Sequence, residues 1–149
     1  MAYLVDTNIL VRLANAADAQ HPVASQAVFE LHREGEALHL TPQVLMEFRG
    51  TATRPLAMNG LGLSTADAQA KASEFEAMFP LLEENADIYP AWKGIVDGLG
   101  IIGKQVHDAR LVAVCHAHAV THLLTFNVTH FVRMSGFGPG IAVVDPARI

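Results

Sequence analysis

The chain has only one cysteine, Cys115, among its 149 residues. A lone thiol cannot form a disulfide within the chain, and reduced thiols are typical of the cytoplasm. The length is enough for one domain with a substantial apolar core and too short for two. We therefore expect a single domain over residues 1–149 and a cytoplasmic location.

Positive charge is also scarce. The chain has 10 lysines and arginines against 15 aspartates and glutamates, which gives a formal net charge of −5. A protein that binds RNA by charge alone is usually basic, so this balance argues against a nonspecific backbone binder. It does not exclude a nuclease that brings divalent cations to an acidic pocket.

Residues 111–132 contain no aspartate, glutamate, lysine or arginine. The run is long enough to cross a membrane, but it holds several histidines and Asn127, which are costly in hydrocarbon. The N-terminal segment contains Ala-Asn-Ala, which imitates a signal cleavage site, but Asp6 and Arg12 interrupt its apolar part. We expect neither a membrane span nor a secretion signal.

Short apolar runs alternate along the chain with segments of helical periodicity. The expected strands are residues 3–5, 38–41, 123–126 and 141–144, with a short one at 81–82. The expected helices are residues 8–16, one from His21 that stops at Gly35, one from Pro42, one capped by Ser64 that ends near Met78, one around 92–99, and 106–119. Strands that alternate with helices predict a mostly parallel sheet with right-handed crossovers.

Three polar residues fall near the carboxyl ends of the expected strands, where α/β sheets bind ligands. Asp6 and Asn127 each end a strand, and Asp108 lies in the first turn of a helix. A fourth polar residue, Glu47, lies in an apolar stretch of the helix that starts at Pro42. Each acid alone has a simpler interpretation: Asp6 could cap the next helix, Asp108 could serve its own helix dipole, and Glu47 could be solvated.

Four segments that carry these residues occur in a distinctive order. They are Leu4-Val5-Asp6-Thr7-Asn8, then Glu47, then Val106-His107-Asp108-Ala109-Arg110-Leu111, then Leu123-Leu124-Thr125-Phe126-Asn127. This order resembles the PIN-domain family, and within it the VapC-type toxins of bacterial and archaeal toxin–antitoxin pairs. The resemblance extends from Leu4 to about Phe131.

The resemblance implies a three-layer α/β/α fold of the PIN type around a small, mostly parallel sheet. It implies a metal-dependent endoribonuclease that hydrolyses RNA, and more narrowly the toxin of a type II toxin–antitoxin pair. The implied partners are a cognate antitoxin protein and a second copy of the chain in a homodimer. The alternative is a catalytically weak PIN-fold module that binds RNA or protein, although all three acids are present.

The same resemblance assigns roles to the polar residues. It implies that the metal-binding and catalytic acids are Asp6, Glu47 and Asp108. Asn127 matches the fourth catalytic position, which is Asp or Asn in the family. The residues implied to support the site are Thr7, Asn8 and Thr125.

Mg²⁺ or Mn²⁺ is the cofactor that these residues imply, because hard divalent cations prefer oxygen ligands and Mg²⁺ keeps several of its waters. Asn127 adds an oxygen without a charge, and His130 stands where many relatives have a further acid. Three formal negative charges remain for the metal. We therefore expect one ion to bind tightly without RNA, and any second ion to arrive with the RNA.

Three arginines, Arg12, Arg49 and Arg110, lie close in sequence to the three acids. One interpretation is that they form ion pairs which hold the acids together without metal. The other is that their guanidinium groups contact RNA phosphate. Lys104 is a further candidate for an RNA contact.

A glycine-rich segment offers a function of a different class. Gly98–Gly103 fits the G-x-G-x-x-G pattern of dinucleotide-binding proteins, and with Lys104 it nearly fits a phosphate-binding P-loop. Gln105 stands where the P-loop needs Ser or Thr, and the residues before Gly98 have a helical pattern instead of a strand. We therefore expect a turn between two helices and no nucleotide cofactor.

Two other classes fit less well. A phosphatase of the haloacid dehalogenase type would need a second Asp two residues after Asp6, where Asn8 stands. Zinc would need more ligands than a helix can present here, because His116 and His118 project to nearly opposite faces. Cys115 and His118 have helical spacing, but two ligands are too few for a structural zinc site.

Overall fold

The computed structural model describes residues 1–149 and contains one sheet of four parallel strands. The strands are β1 (Ala2–Val5), β2 (Ala37–His39), β3 (His122–Leu124) and β4 (Ala142–Val144). Their spatial order is β2-β1-β3-β4. Leu4 of the inner strand β1 pairs with His39 on one side and with Leu123 on the other.

Seven α-helices accompany the strands: α1 (Thr7–Leu13), α2 (His21–Arg33), α3 (Pro42–Thr53), α4 (Thr65–Met78), α5 (Ile88–Leu99), α6 (Gln105–Ala117) and α7 (Val128–Ser135). Two short 3-10 turns, Leu56–Met58 and Pro146–Arg148, follow α3 and β4. None of the helices combines the length and the apolar character that crossing a membrane requires.

Helices cover both faces of the sheet. Successive residues of a strand point to opposite faces, and the neighbours Leu4 and Val5 of β1 are both fully buried. The buried apolar side chains form one continuous core of 34 residues. The expected three-layer α/β/α architecture is therefore confirmed, and the expected mostly parallel sheet is parallel at every pairing.

Local sequence accounts for where several helices begin. Thr41 caps α3, because its hydroxyl accepts from the Val44 N–H at 3.1 Å, and Pro42 occupies the first turn, where no N–H is needed. Ser64 caps α4 in the same way, with its hydroxyl 3.1 Å from the Asp67 N–H. The start of α3 matters most for function, because this helix carries Glu47.

Several expected elements end two or three residues early, such as β2 at His39, α1 at Leu13 and α6 at Ala117. Three further differences from the sequence prediction concern the sheet and one helix. Residues 81–82 do not form a strand of the sheet, since Leu81 makes only an isolated bridge to Leu40. The helix α7 was not predicted from the sequence. The third strand ends at Leu124 instead of residue 126, because the Phe126 N–H bonds to the side chain of Asn8 and the backbone leaves the sheet.

The order of the strands fixes where a ligand can bind. From β1 the chain first moves outward to β2, and it later returns to the other side of β1 to form β3. In an open parallel sheet, such a reversal leaves a crevice at the carboxyl ends of the two strands. Asp6 directly follows β1, and residues 125–127 follow β3, so both segments border this crevice.

Candidate active site

A hydrogen-bond network joins the segments that follow β1 and β3. The Thr125 hydroxyl donates to Asp6 Oδ2 at 2.8 Å. It accepts from the Asn8 side-chain amide and from the Asn127 backbone N–H, each at 3.0 Å. A hydroxyl has one donor and two acceptor positions, so this one is saturated. The Asn8 side-chain oxygen in turn accepts from the Phe126 N–H at 3.1 Å, which holds the turn after β3 against α1.

Asp6 is a buried carboxylate, with 6% of its surface exposed. It caps α1, because Oδ1 accepts from the Thr7 N–H at 2.7 Å. Burial raises the pKa of Asp6 to about 6; hydrogen bonds from Thr125 and Thr7 oppose the rise, and the charges of Glu47 and Asp108 add to it. The helix-capping interpretation and the site interpretation therefore apply to the same side chain.

Glu47 extends from the exposed face of α3 toward the end of β1. Its Oε2 accepts from the Thr7 hydroxyl at 2.8 Å, and its Oε1 accepts from the Gln43 amide at 2.9 Å. The apolar residues around it in sequence, such as Val44 and Phe48, lie on the buried face of the helix. Glu47 is thus neither in the core nor a free surface residue, since both of its oxygens are held.

Asp108 lies in the first turn of α6 and is partly buried. Burial raises its pKa, as does the charge of Glu47, while His130 and His107 act in the opposite direction. Nδ1 of His130 is 3.7 Å from Asp108 Oδ2. His130 therefore faces one of the three acids.

These side chains line one open pocket of about 510 Å³. The pocket contains Asp6, Glu47, Asp108 and Asn127, together with Thr7, Asn8 and Arg12, and Thr125 lies buried behind Asp6. It also contains residues that the sequence did not single out: Val11, Thr51, Arg54 and Asn59. Thus the structure gathers residues that are far apart in sequence at one edge of the sheet.

The donor set of the pocket fits a hard divalent cation. The three carboxylates and the Asn127 amide all offer oxygen atoms as ligands. Burial and mutual repulsion raise the pKa values of two of the carboxylates, Asp6 and Asp108. No group of three or more His, Cys, Asp or Glu side chains stands close enough together to enclose an ion by itself. Mg²⁺ tolerates such spacing, because it keeps several waters and needs few direct protein ligands.

The four cations proposed from sequence have different environments. Arg12 lines the pocket, but its Nε bonds to Gln20 at 2.9 Å and lies 3.4 Å from Asp18. Arg110 forms an ion pair with Glu84. The exposed Arg49 lines a separate groove, and the exposed Lys104 precedes α6 outside the pocket. None of the three arginines forms an ion pair with Asp6, Glu47 or Asp108, so the acids are not held together in that way.

Arg54 is the pocket cation that the sequence did not reveal. It follows the last residue of α3, and the segment after it folds back onto the end of this helix. The Gly62 N–H bonds to the Arg54 carbonyl at 2.8 Å, and the Leu63 N–H bonds to the Ala52 carbonyl at 2.9 Å. A Cβ on Gly60 would lie 2.0 Å from the Arg54 carbonyl oxygen, so only glycine fits there. This close packing holds Arg54 at the rim of the pocket.

The residues of the other candidate functions lie elsewhere. Gly98–Gly103 forms the end of helix α5 and the turn after it, with Gly100 in the left-handed conformation, and no strand precedes it. Cys115 is buried, and burial raises the pKa of its thiol to about 12. His118 bonds to the Glu83 carbonyl at 2.7 Å. These residues do not form a second polar site.

The chain belongs to the PIN domain family, because the family model for this domain matches residues 3–136. This range contains all four residues of the candidate site and every element from β1 through α7, apart from Ala2 at the start of β1. No curated protein sequence matches the chain.

Several solved structures are similar in fold. One is VapBC2 from Rickettsia felis, bound to a DNA fragment from its promoter. Its TM-score is 0.73 and its sequence identity is 20%, over 97% of this chain and 98% of that chain. VapBC-1 from nontypeable Haemophilus influenzae has a TM-score of 0.71 and 17% identity, over 98% of each chain. VapC20 from Mycobacterium tuberculosis, described as a Sarcin-Ricin loop cleaving toxin, has a TM-score of 0.59 and 21% identity, over 81% of this chain and 86% of that chain. At these identities the likeness establishes a shared fold.

The raised pKa of Asp6 predicts how stability depends on pH. Between the ordinary pKa of 3.8 and the raised value of about 6, the folded protein keeps a proton that the unfolded chain loses. The free energy of unfolding of the metal-free protein should therefore fall as the pH rises through this range, by up to roughly 3 kcal/mol. Denaturant unfolding in EDTA at several pH values measures this fall.

The matched variant is Asp6→Asn, which keeps the shape of the side chain and removes its titration. Its unfolding free energy should fall less over the same pH range, with a residual fall from Asp108, whose pKa is also raised. Parallel curves for the two proteins would contradict the assignment of the pH dependence to Asp6.

Proposed function

We propose that the chain is a metal-dependent endoribonuclease and the toxin of a toxin–antitoxin pair. The observation that carries this proposal is the pocket at the carboxyl ends of β1 and β3, where a member of the PIN domain family gathers Asp6, Glu47, Asp108 and Asn127. The fold relatives support it, because they include toxin–antitoxin complexes and a toxin described as cleaving the Sarcin-Ricin loop.

Asp6, Glu47 and Asp108 are the residues that would hold the cofactor, Mg²⁺ or Mn²⁺, with the oxygen of Asn127 beside them. When bound, such a cation lowers the pKa of a water and neutralises charge on the phosphate. The protein keeps the carboxylates in place, since Thr125 binds Oδ2 of Asp6 and Thr7 binds Oε2 of Glu47. Each carboxylate still has lone pairs available for a ligand.

RNA cleavage should require Mg²⁺ or Mn²⁺ and should stop in EDTA. Asp108→Asn should lower the rate at least about 100-fold, because it removes a negative charge that would bind the cation. The isosteric substitution should leave the fold intact, which circular dichroism can verify. Gel analysis of RNA fragments, with mapping of their 5′ ends, measures the cleavage.

A suitable control is Asp87→Asn, which changes an exposed aspartate beside the first turn of another helix, α5, outside the pocket. It should cleave RNA at the wild-type rate. A folded Asp108→Asn protein that is as active as Asp87→Asn would overturn the assignment.

Arg54 is the residue best placed to bind the RNA backbone. It lines the pocket, has no carboxylate partner, and donates only to the Thr51 hydroxyl at 3.1 Å. Arg12 lines the same pocket but is already engaged by Asp18 and Gln20. A guanidinium that is free of acids can form charge-assisted hydrogen bonds with a phosphate.

Arg54→Ala should raise the KM for RNA about tenfold at low salt and leave kcat within about twofold, because it removes one phosphate contact. The slope of log KM against log salt should become shallower by about one. Arg49→Ala is the matched control, since Arg49 lies in the same stretch of chain but lines a groove outside the pocket. Equal effects of the two substitutions would exclude a specific role for Arg54.

The number of ions bound without RNA follows from the charge of the pocket. Asn127 forms no capping bond with α7 and is exposed at the pocket, so its amide oxygen is available to a ligand without adding a charge. Calorimetric titration of the RNA-free protein with Mn²⁺ should show one tight site. Asn127→Asp should create a second site, whereas two tight sites of equal affinity in the wild type would contradict the prediction.

A cognate antitoxin and a homodimer are part of the proposed function. Leu56 and Met58, which are 77% and 64% exposed, lie in the short turn between the pocket residues Arg54 and Asn59. A partner that offers apolar side chains to this turn and a cation to the acids would block the site.

The product of an adjacent small gene should therefore inhibit RNA cleavage when it is co-purified with the chain, and Leu56→Glu should weaken that inhibition at least about tenfold. Cleavage that is unchanged by the partner would refute the pairing. Sedimentation should give a homodimer of twice the 16.0 kDa of the chain, and a monomer at micromolar concentration would refute that part.

A further inference from the structure

Gln43 is a nearly buried polar residue, 9% exposed, one helical turn before Glu47 in α3. Its side-chain amide makes three hydrogen bonds. The nitrogen Nε2 donates to Glu47 Oε1 and to the His107 carbonyl, each at 2.9 Å. The oxygen Oε1 accepts from Arg110 Nη1 at 3.2 Å. The amide therefore contacts one of the acids and the backbone next to another, because His107 directly precedes Asp108.

The partners of Gln43 fix which way its amide points. A carboxylate and a carbonyl can only accept, so both must face the NH₂ group, while a guanidinium can only donate and must face the oxygen. No other side chain of this length offers two donors on one side and an acceptor on the other. A glutamate at the same place would put a second carboxylate against Glu47.

Arg110, which donates to Gln43, is itself held by an ion pair with Glu84 in the segment between α4 and α5. A series of polar contacts therefore runs from Glu84 through Arg110 and Gln43 to Glu47. Glu47 is exposed and would otherwise sample several rotamers. The series of polar contacts and the Thr7 hydroxyl together hold both of its carboxylate oxygens.

We infer that Gln43 is a positioning residue, which sets the carboxylate of Glu47 relative to Asp108 before any ligand binds. This inference rests on the proposed function for its meaning in catalysis, although its effect on cation binding can be measured without RNA. Arg110 acts through Gln43, since its guanidinium is bonded to Gln43 and to Glu84. Gln43 touches only protein groups and is not itself a catalytic residue.

The test is Gln43→Met, which keeps a long unbranched side chain and removes the amide. Calorimetry with Mn²⁺ on the RNA-free protein should show an affinity lower by about tenfold or more, as is usual when a group that orients a ligand is lost. In RNA cleavage, kcat should fall while KM stays within about twofold, because Gln43 does not reach the pocket surface. A purely structural role would lower the melting temperature without this split.

The matched control is Gln26→Met. Gln26 in α2 donates to Glu30 Oε1 at 2.9 Å with the same four-residue spacing, on an exposed helix face outside the pocket. It should leave Mn²⁺ affinity unchanged. If Gln43→Met does not fold, Arg110→Met tests the same series of polar contacts, because it removes the partly exposed guanidinium that binds Gln43. It should lower Mn²⁺ affinity severalfold.

The outcomes separate this inference from the proposed function. Wild-type Mn²⁺ affinity in a folded Gln43→Met or Arg110→Met protein would overturn the inference, whether or not the chain cleaves RNA. A protein that binds Mn²⁺ less tightly after Gln43→Met, but whose wild type does not cleave RNA, would keep the role of Gln43 and overturn the proposed nuclease.

Discussion

The hydrogen bond from the Thr125 hydroxyl to Asp6 joins two points that are 119 residues apart in sequence. The rest of the site depends on it, because it orients the buried carboxylate and uses the one donor position of a hydroxyl that also accepts from Asn8 and Asn127. Asn8 extends the link by bonding to both Thr125 and the Phe126 N–H. The bond is possible only because β1 and β3 are neighbours and parallel, so that their carboxyl ends meet at one edge of the sheet.

The protein concentrates negative charge where folding alone would avoid it. A buried aspartate beside two further acids lowers stability at neutral pH, which its raised pKa expresses. Neighbouring groups donate hydrogen bonds to Asp6 and Glu47, and no arginine forms an ion pair with any of the three acids. Such a loss of stability, with no arginine paired to the acids, is typical of functional sites, where a bound ligand supplies the missing charge.

The acidic composition of the chain and its proposed RNA substrate are compatible for the same reason. Of the pocket's two arginines, one is already paired with an aspartate and the other is free. Positive charge for the phosphates would then come mainly from a bound cation, with one arginine at the rim. An overall net charge therefore says little about a site whose negative charge a bound cation would largely offset.

The sequence by itself determined most of the elements and the candidate acids. Apolar runs, the cap at Ser64, the proline that starts α3, and an aspartate directly after a buried strand are local signals, since each depends on residues within a few positions. Even so, β3 ends earlier than its apolar run, because the Phe126 N–H bonds to the side chain of Asn8, which is distant in sequence.

Only the tertiary structure decided which polar residues act together. Arg12, Arg49 and Arg110 each stand near an acid in the sequence, yet Arg12 lines the pocket, Arg49 lines a separate groove, and Arg110 pairs with Glu84. Gln43 and Arg54 carry no local signal, since an amide in a helix and an arginine before a proline are common. Their roles depend on partners from other helices and loops, and side-chain direction in space is set by packing that sequence spacing does not encode.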